Sequence, residues 1–159
     1  MLKHVLLPLD GSKLAEEALK PAMEIVAGHG RISLVTAVED PEAPAYGYLA
    51  PVTPPNNDEL LSIARHYLER IALDHTNDDV TFDYRAIHGD PSTVITEEAK
   101  RLQVDVIVMS THGRSGISRL LLGSVTSKVL ASKICSVFVV FNKETVPLET
   151  AKIPIQNPN

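Results

Sequence analysis

The chain has 159 residues, of which 44% are hydrophobic and 22% are charged, a size and composition typical of one ordinary globular domain. Its formal net charge of -5 argues against a nucleic-acid-binding surface, because such surfaces are usually basic. No stretch approaches the roughly 18 consecutive apolar residues of a membrane span, and a strand-like run follows Met1 directly. We therefore expect neither a span nor a signal peptide and predict a cytoplasmic protein.

Short apolar runs alternate with segments of helical periodicity along the chain. The strand-like runs are residues 5–9, 31–38, 80–87, 104–109 and 137–141. Apolar residues recur with helical spacing at residues 12–26, 58–75, 91–102 and 124–132. The proline-rich stretch 39–57 cannot pair regularly in a sheet, so it is predicted to form a long surface loop.

Local signals mark the starts of two predicted helices. Ser12 is expected to cap the first helix, in which Pro21 should cause a bend. Asp90 is expected to cap the third helix, with Pro91 at its first position. Both helices would then begin directly after a strand.

The order of the elements predicts an α/β fold. Strands that are apolar throughout and joined by helical crossovers indicate an open parallel sheet of five strands with helices on both faces. Right-handed crossovers would make it doubly wound. We find no internal repeat, and we predict one domain over residues 1–142 followed by a polar tail over 143–159.

Several common functional motifs are missing from the sequence. The six histidines show no metal-ligand spacing. No G-x-x-x-x-G-K-[ST] loop, no G-x-G-x-x-G after the first strand and no G-x-S-x-G elbow is found. The single cysteine, Cys135, cannot form an internal disulfide, and its apolar neighbours indicate a packing role.

Polar clusters follow two of the predicted strands. Residues 8–12 end the first strand, and residues 110–113 follow the fourth, with Gly123 and Ser124 opening the next helix. If these strands are neighbours where strand order reverses, both clusters line the crevice in which such sheets bind ligands. Asp10 could then accept hydrogen bonds from a ribose or hold a metal ion.

The second cluster suits an anion. Gly113 and Gly123 would let the backbone approach a phosphate closely, and the amides that open the helix would point toward it. Further donors would come from Arg114 or Arg119 and from the hydroxyls of Ser124 and Thr126.

Each feature also has an ordinary structural interpretation. Glycines such as Gly113 and Gly123 are typical of turns and helix starts, and the residues 10–12 are typical of a turn with a cap. Residues 120–122 are apolar enough to serve only in packing, and Arg119 is typical of a solvated charge. Taken together, the two clusters favour a binding site.

These motifs, in this order, resemble the universal stress protein family over roughly residues 2–141. Members that bind ATP carry the pattern G-x2-G-x9-G-[ST], which residues 110–113, nine further residues, Gly123 and Ser124 match except that Ser110 replaces the first glycine. A second departure is Ser136, where the family usually has proline. The resemblance implies a Rossmann-like fold similar to that of the adenine nucleotide alpha hydrolases.

The resemblance also implies an adenine nucleotide site, with ATP, or AMP or ADP, as ligand and Mg2+ beside the phosphates. Asp10 would lie near the ribose or the metal ion. The base would lie near Pro8, Leu9, Val38 and Met109. The phosphates would be surrounded by Gly113, Arg114, Gly123, Ser124, Val125 and Thr126. The side chain of Ser110 would either narrow the space for the ribose or the phosphates or bond to them through its hydroxyl.

The resemblance implies a regulatory or stress-response module that reports nucleotide occupancy to an unidentified protein partner, with at most slow ATP hydrolysis. A true enzyme acting on adenine nucleotides is disfavoured because no general base is evident. The alternative, which Ser110 favours, is a dimeric stress or interaction protein of the same fold that binds no nucleotide. The family architecture implies a homodimer through the last strand, residues 137–141, whose apolar edge would otherwise be exposed unless the tail covers it.

Overall fold

A parallel sheet of five strands forms the middle layer of the fold. The computed structural model describes residues 2–26, 29–39, 56–77, 79–111 and 122–141. The strands are β1 (His4–Pro8), β2 (Gly30–Val38), β3 (Val80–His88), β4 (Val106–Ser110) and β5 (Ser136–Val140). The helices are α1 (Lys13–Glu16), α2 (Leu19–Ile25), α3 (Asn57–His75), α4 (Pro91–Leu102) and α5 (Ser124–Ser132).

The strand order in the sheet is β3-β2-β1-β4-β5, and each neighbouring pair is parallel. The chain adds strands outward from β1 to β3 and then returns to place β4 on the other side of β1. This reversal confirms the predicted doubly wound, Rossmann-like α/β fold. It also makes the carboxyl ends of β1 and β4 the expected place for a ligand.

Alternate side chains of β1 fill two separate cores. Val5 and Leu7 pack with buried residues of α1, α2 and α3, among them Leu68. Leu6 packs with buried residues of α4 and α5, among them Val129. Because successive residues of a strand point to opposite faces, a strand that is apolar throughout is needed at the centre of a sheet with two covered faces.

The predicted helix starts are confirmed. The hydroxyl of Ser12 accepts the N–H of Ala15 at 3.1 Å and caps α1. The carboxylate of Asp90 accepts the N–H of Thr93 at 3.0 Å and caps α4, with Pro91 as the first helical residue. Helix α5 also has the predicted bounds.

The first predicted helix is divided in two. We expected a bend at Pro21, but the interruption lies at Glu17 and Ala18, between α1 and α2. Pro21 has no N–H to donate to the carbonyl of Glu17, and its ring would collide with that carbonyl in a continuous helix. The proline therefore breaks the helix one turn before its own position.

Some predictions fall outside the described residues. The loop predicted at 39–57 lies mostly there, although its end is described because Asn56 caps α3. The tail predicted at 143–159 lies there completely. None of the described helices combines the length and apolar character needed to cross a bilayer.

Candidate functional site

The carboxyl ends of β1 and β4 lie side by side, as the sequence analysis required for a site. Leu6 of β1 is paired with Ile107 of β4. Extending this register by three residues places Leu9 beside Ser110, just beyond the end of β1. The start of the turn after β1 and the end of β4 therefore lie side by side where the strand order reverses.

The turn after β1 holds Asp10 in a defined position. One carboxylate oxygen of Asp10 accepts both the N–H of Ser12 at 3.0 Å and its hydroxyl at 2.6 Å. The preceding residue, Leu9, is tied to β2, since its N–H donates to the C=O of Val35 at 2.9 Å and its C=O accepts the hydroxyl of the buried Thr36 at 2.8 Å. The half-buried carboxylate is thus oriented by short local contacts.

Helix α5 begins without a side-chain cap. Its N-cap residue is Gly123, which has no side chain to accept a hydrogen bond, whereas α1, α3 and α4 each have a capping side chain. The next three residues, Ser124, Val125 and Thr126, form the first turn, where the partial positive charge of a helix is concentrated. An anion at this end would complete the hydrogen bonding of the turn.

Two backbone carbonyls at the end of β4 are bonded to the start of α5. The N–H of Gly123 donates to the C=O of Thr111 at 2.8 Å. The hydroxyl of Thr126, a residue that is 3% exposed, donates to the C=O of Ser110 at 3.2 Å. The hydroxyl of Thr126 was predicted to donate to a ligand, but its one proton is donated to the strand end instead.

The residues predicted to lie near a base occupy the ends of three adjacent strands. Pro8 and Leu9 lie at the end of β1, Val38 at the end of β2 and Met109 near the end of β4. Leu9 and Met109 are buried on opposite faces of the sheet, one in each core. Their side chains anchor the ends of β1 and β4 in the two cores.

The backbone of Ala37 is a part of the candidate site that was not predicted from the sequence. In a parallel sheet, the N–H and C=O groups of successive residues point alternately to the two neighbouring strands. The C=O of Val35 bonds on the β1 side, and the C=O of Val38 accepts the N–H of Gly89 on the β3 side at 2.9 Å. The N–H and C=O of Ala37 therefore point to the β1 side of β2. They lie beyond Pro8, which is the last residue of β1 that pairs with β2. Only the register of the sheet reveals this, because alanine carries no chemical signal.

Tyr67 of α3, near the turn of Asp10, was also not among the predicted site residues. Its hydroxyl donates to a carboxylate oxygen of Glu16 at 2.9 Å. Burial, this hydrogen bond and the negative charges of Glu16 and Asp10 raise the pKa of Tyr67, so the phenol keeps its proton at physiological pH. Tyr67 therefore links α3 to α1 through Glu16, close enough to Asp10 for that charge to affect its pKa. The sequence gives no sign of this, because a tyrosine in an amphipathic helix ordinarily indicates packing.

Most of the predicted site residues converge on one place. Gly113 and Arg114 lie outside the described residues, as does Arg119. The others lie at the ends of β1, β2 and β4 and in the first turn of α5, namely Pro8, Leu9, Asp10, Val38, Met109, Ser110, Gly123, Ser124, Val125 and Thr126. Their roles toward a ligand stay predictions.

Comparison with known proteins supports the resemblance suggested by the motifs. The family model described as "Universal stress protein family" matches residues 1–140. A universal stress protein of Methanocaldococcus jannaschii is 30% identical over 141 residues, which cover 88% of this chain and 82% of the relative.

Two solved structures share the fold. One is a universal stress protein in complex with cAMP, with a TM-score of 0.61, 23% identity and coverage of 88% of this chain and 97% of that chain. The other is a universal stress protein family protein from Arabidopsis thaliana with AMP bound, with a TM-score of 0.59, 18% identity and coverage of 92% and 97%. With a family match that spans nearly all of the described residues, the chain belongs to the universal stress protein family.

Proposed function

We propose that this protein binds an adenine nucleotide in the crevice between the ends of β1 and β4 and acts as a nucleotide-dependent regulatory module. One observation carries the proposal: the turn that holds Asp10 follows the strand beside β4, and the carbonyls of Ser110 and Thr111 at the end of β4 are bonded to the uncapped start of α5. A carboxylate beside a set of N–H donors is complementary to a ribose hydroxyl followed by a phosphate. ATP with Mg2+ is the proposed ligand, with AMP and ADP as the other candidates.

The phosphates are assigned to the start of α5. The amides of Ser124 and Val125 in the first turn supply donors, and the exposed side chain of Ser124 adds a hydroxyl. The absence of a side chain at Gly123 leaves room for an oxygen close to the backbone. Gly113 and Arg114, which the motif includes, are proposed to complete this part of the site.

The base is assigned to the end of β2. The N–H of Ala37 is a donor and its C=O is an acceptor on the same side of the strand. They are complementary to the edge of adenine, where N1 accepts a hydrogen bond and the N6 amino group donates one. Two complementary hydrogen bonds would select adenine over guanine, whose corresponding positions carry a donor and an acceptor in the opposite order. Leu9 and Met109 support the base from the core.

A magnesium ion is assigned to the space between Asp10 and the phosphates. Within the described ranges, no group of three or more His, Cys, Asp or Glu side chains is arranged to hold a metal ion. Magnesium often binds through one or two carboxylates together with the phosphates of its nucleotide, so a single aspartate fits this cation. Asp10 would supply the protein's negatively charged oxygen.

The solved structures that share the fold give independent support to this ligand class, because one contains cAMP and another contains AMP. Both ligands carry an adenine, a ribose and one phosphate. The family motif and the geometry of β1, β2, β4 and α5 together support the parts of the crevice proposed for these three groups. We propose in addition that the ligand of this protein is a triphosphate and that it binds together with a magnesium ion.

We assign the protein a regulatory role in the cytoplasm, in which nucleotide occupancy shifts the population of two arrangements that a protein partner distinguishes. The crevice offers donors and a carboxylate for binding, and its one described carboxylate, Asp10, is already bonded to Ser12. Because no general base is evident in the sequence, any hydrolysis of ATP is expected to be slow and to serve only to end the ATP-bound state.

Mass spectrometry of small molecules released by denaturing the purified protein tests the proposal first. Calorimetric titration of the emptied protein with ATP and Mg2+ then gives the affinity, and adenosine serves as a ligand without phosphate. Gly123→Val should weaken ATP binding at least tenfold, about 1.4 kcal/mol, because its side chain enters the space assigned to a phosphate. Adenosine binding should change little.

Equal ATP affinity of Gly123→Val and the parent protein would contradict the assignment of the phosphates to α5. A parent protein that releases no nucleotide and binds neither ATP nor adenosine would contradict the proposed function. The result would then favour the alternative, a dimeric stress or interaction protein that binds no nucleotide.

We also propose that β5 pairs with β5 of a second copy. β5 is an outer strand of the sheet, it contains no charged residue, and Phe138 within it is 47% exposed. The opposite outer strand, β3, carries Asp83 and Arg85, charges that discourage pairing with another chain. The contrast between the two edges favours a homodimer through β5.

A further inference from the structure

We infer that Thr126 is a positioning residue of the proposed nucleotide site, an inference that rests on the proposed function. Its buried hydroxyl donates to the C=O of Ser110 at 3.2 Å. The N–H of Gly123 donates to the C=O of Thr111 at 2.8 Å. Two successive carbonyls of the segment that ends β4 are therefore each bonded to the start of α5, one to its N-cap and one to its third residue.

The hydroxyl of Thr126 is not available to a phosphate. A hydroxyl has one proton, and a phosphate oxygen in this setting acts as an acceptor. Thr126 is 3% exposed, and its proton is directed to the C=O of Ser110. Donating to a ligand would leave that carbonyl without this partner, so the observed arrangement assigns the hydroxyl to the protein and not to the ligand.

The two bonds hold the first turn of α5 against the end of β4. Val129 anchors the helix in the core further along, and the bond at Gly123 holds the residue before its first turn. The bond from Thr126 holds the turn itself, so the amides of Ser124 and Val125 keep one direction before any ligand arrives. Donors that are already oriented bind an anion more tightly than donors that must be ordered on binding.

Thr126→Val tests this role because valine keeps the size and branching of threonine and removes the hydroxyl. Thr126→Ser keeps the hydroxyl. Thr96→Val is the matched control, since Thr96 on α4 also donates to a backbone carbonyl, that of Thr93 at 3.0 Å, but lies in another helix. The measurements are calorimetric affinities for ATP and for adenosine and the amide NMR signals of residues 124–126 in the nucleotide-free protein.

We expect Thr126→Val to bind ATP about fivefold more weakly, the effect of one ordinary hydrogen bond, with the affinity for adenosine unchanged. The amide signals of residues 124–126 should broaden in nucleotide-free Thr126→Val. Thr126→Ser and Thr96→Val should match the parent protein in all three measurements. Should Thr126→Val lose its cooperative melting transition, Thr126→Ala supplies the same comparison.

Three results would overturn the inference. Equal ATP affinity of Thr126→Val and the parent protein would show that the bond does not affect the site. Weaker ATP binding with unchanged amide signals in the nucleotide-free protein would identify the hydroxyl as a ligand contact. A parent protein that binds neither ATP nor adenosine would contradict the proposed function and therefore also this role of Thr126. That outcome differs from the first two, in which the parent protein binds ATP.

Discussion

Replacing Glu98 by glutamine should measurably destabilise the fold while preserving its shape. The side chain of Glu98 on α4 is 8% exposed and accepts three hydrogen bonds. Arg101 donates its Nε at 2.9 Å and its Nη2 at 2.7 Å, and Arg85 of β3 donates its Nη1 at 2.8 Å. The carboxylate therefore joins α4 to an outer strand of the sheet.

The expected loss in the free energy of unfolding follows from the exposure of the side chains of Glu98, Arg85 and Arg101. Removing one partner of a fully buried ion pair costs about 3–5 kcal/mol, and an exposed pair contributes about 0–1 kcal/mol. Glu98 is buried, but the side chains of Arg85 and Arg101 are 51% and 49% exposed and can be rehydrated. We expect a loss of about 1–2 kcal/mol in the free energy of unfolding, between these limits, and a fall of about 2–8 °C in melting temperature.

The assay is chemical and thermal unfolding of Glu98→Gln beside Glu97→Gln, which removes the same charge from an exposed position one residue away. The hydrogen bonds from Arg101 lead the causes that lower the pKa of Glu98 in the folded protein. A lowered folded pKa means that this stabilisation is complete above the unfolded pKa, about 4.3, and is lost as the pH falls through the folded pKa. The difference between the parent protein and Glu98→Gln should therefore be full at neutral pH and should shrink in acid.

A Glu98→Gln variant that is no less stable than Glu97→Gln at neutral pH would refute the stabilising role of the Glu98 carboxylate. A difference that stayed constant from neutral to acidic pH would also refute it, since the effect would then come from packing and not from the charge.

Two further substitutions test the site and the edge. Ser110→Gly should bind ATP at least as tightly as the parent protein, because the carbonyl that accepts the Thr126 hydroxyl is kept and only a side chain is removed; calorimetry showing a clear loss would mean that the serine hydroxyl contacts the ligand. Phe138→Glu should shift sedimentation toward monomers by placing a charge on the apolar edge, and Thr81→Glu on the opposite edge strand should not; an unchanged dimer in Phe138→Glu would contradict pairing through β5.

Much of the fold could be predicted because its signals are local. The cap at Ser12, the pair Asp90 and Pro91, and the bounds of α5 depend on residues within one helical turn, and all are found as predicted. The apolar strands follow from their composition alone, since both faces of the sheet are covered. The position of the break before Pro21 was missed by one turn because a proline disturbs the residue four positions earlier.

The site was predicted in part, from residues that have distinctive chemistry. Asp10, Gly123 and Ser124 stand out in the sequence, and their strand and helix ends meet as predicted once β1 and β4 are neighbours. Ala37 did not stand out, because its contribution is the direction of its backbone groups. Thr126 was interpreted as a donor to a ligand because the sequence does not show that its hydroxyl faces the end of β4.

The sequence by itself therefore determined which segments are strands, where α1, α4 and α5 begin, and which polar residues follow the strands. These properties depend on neighbours along the chain, through periodicity, capping and the geometry of proline. The tertiary structure alone decided that β1 lies beside β4, that Ala37 faces the crevice, and that Thr126 bonds to Ser110. Each of these depends on the register between segments far apart in the chain, and hydrogen bonds between such segments are set only when the sheet is assembled.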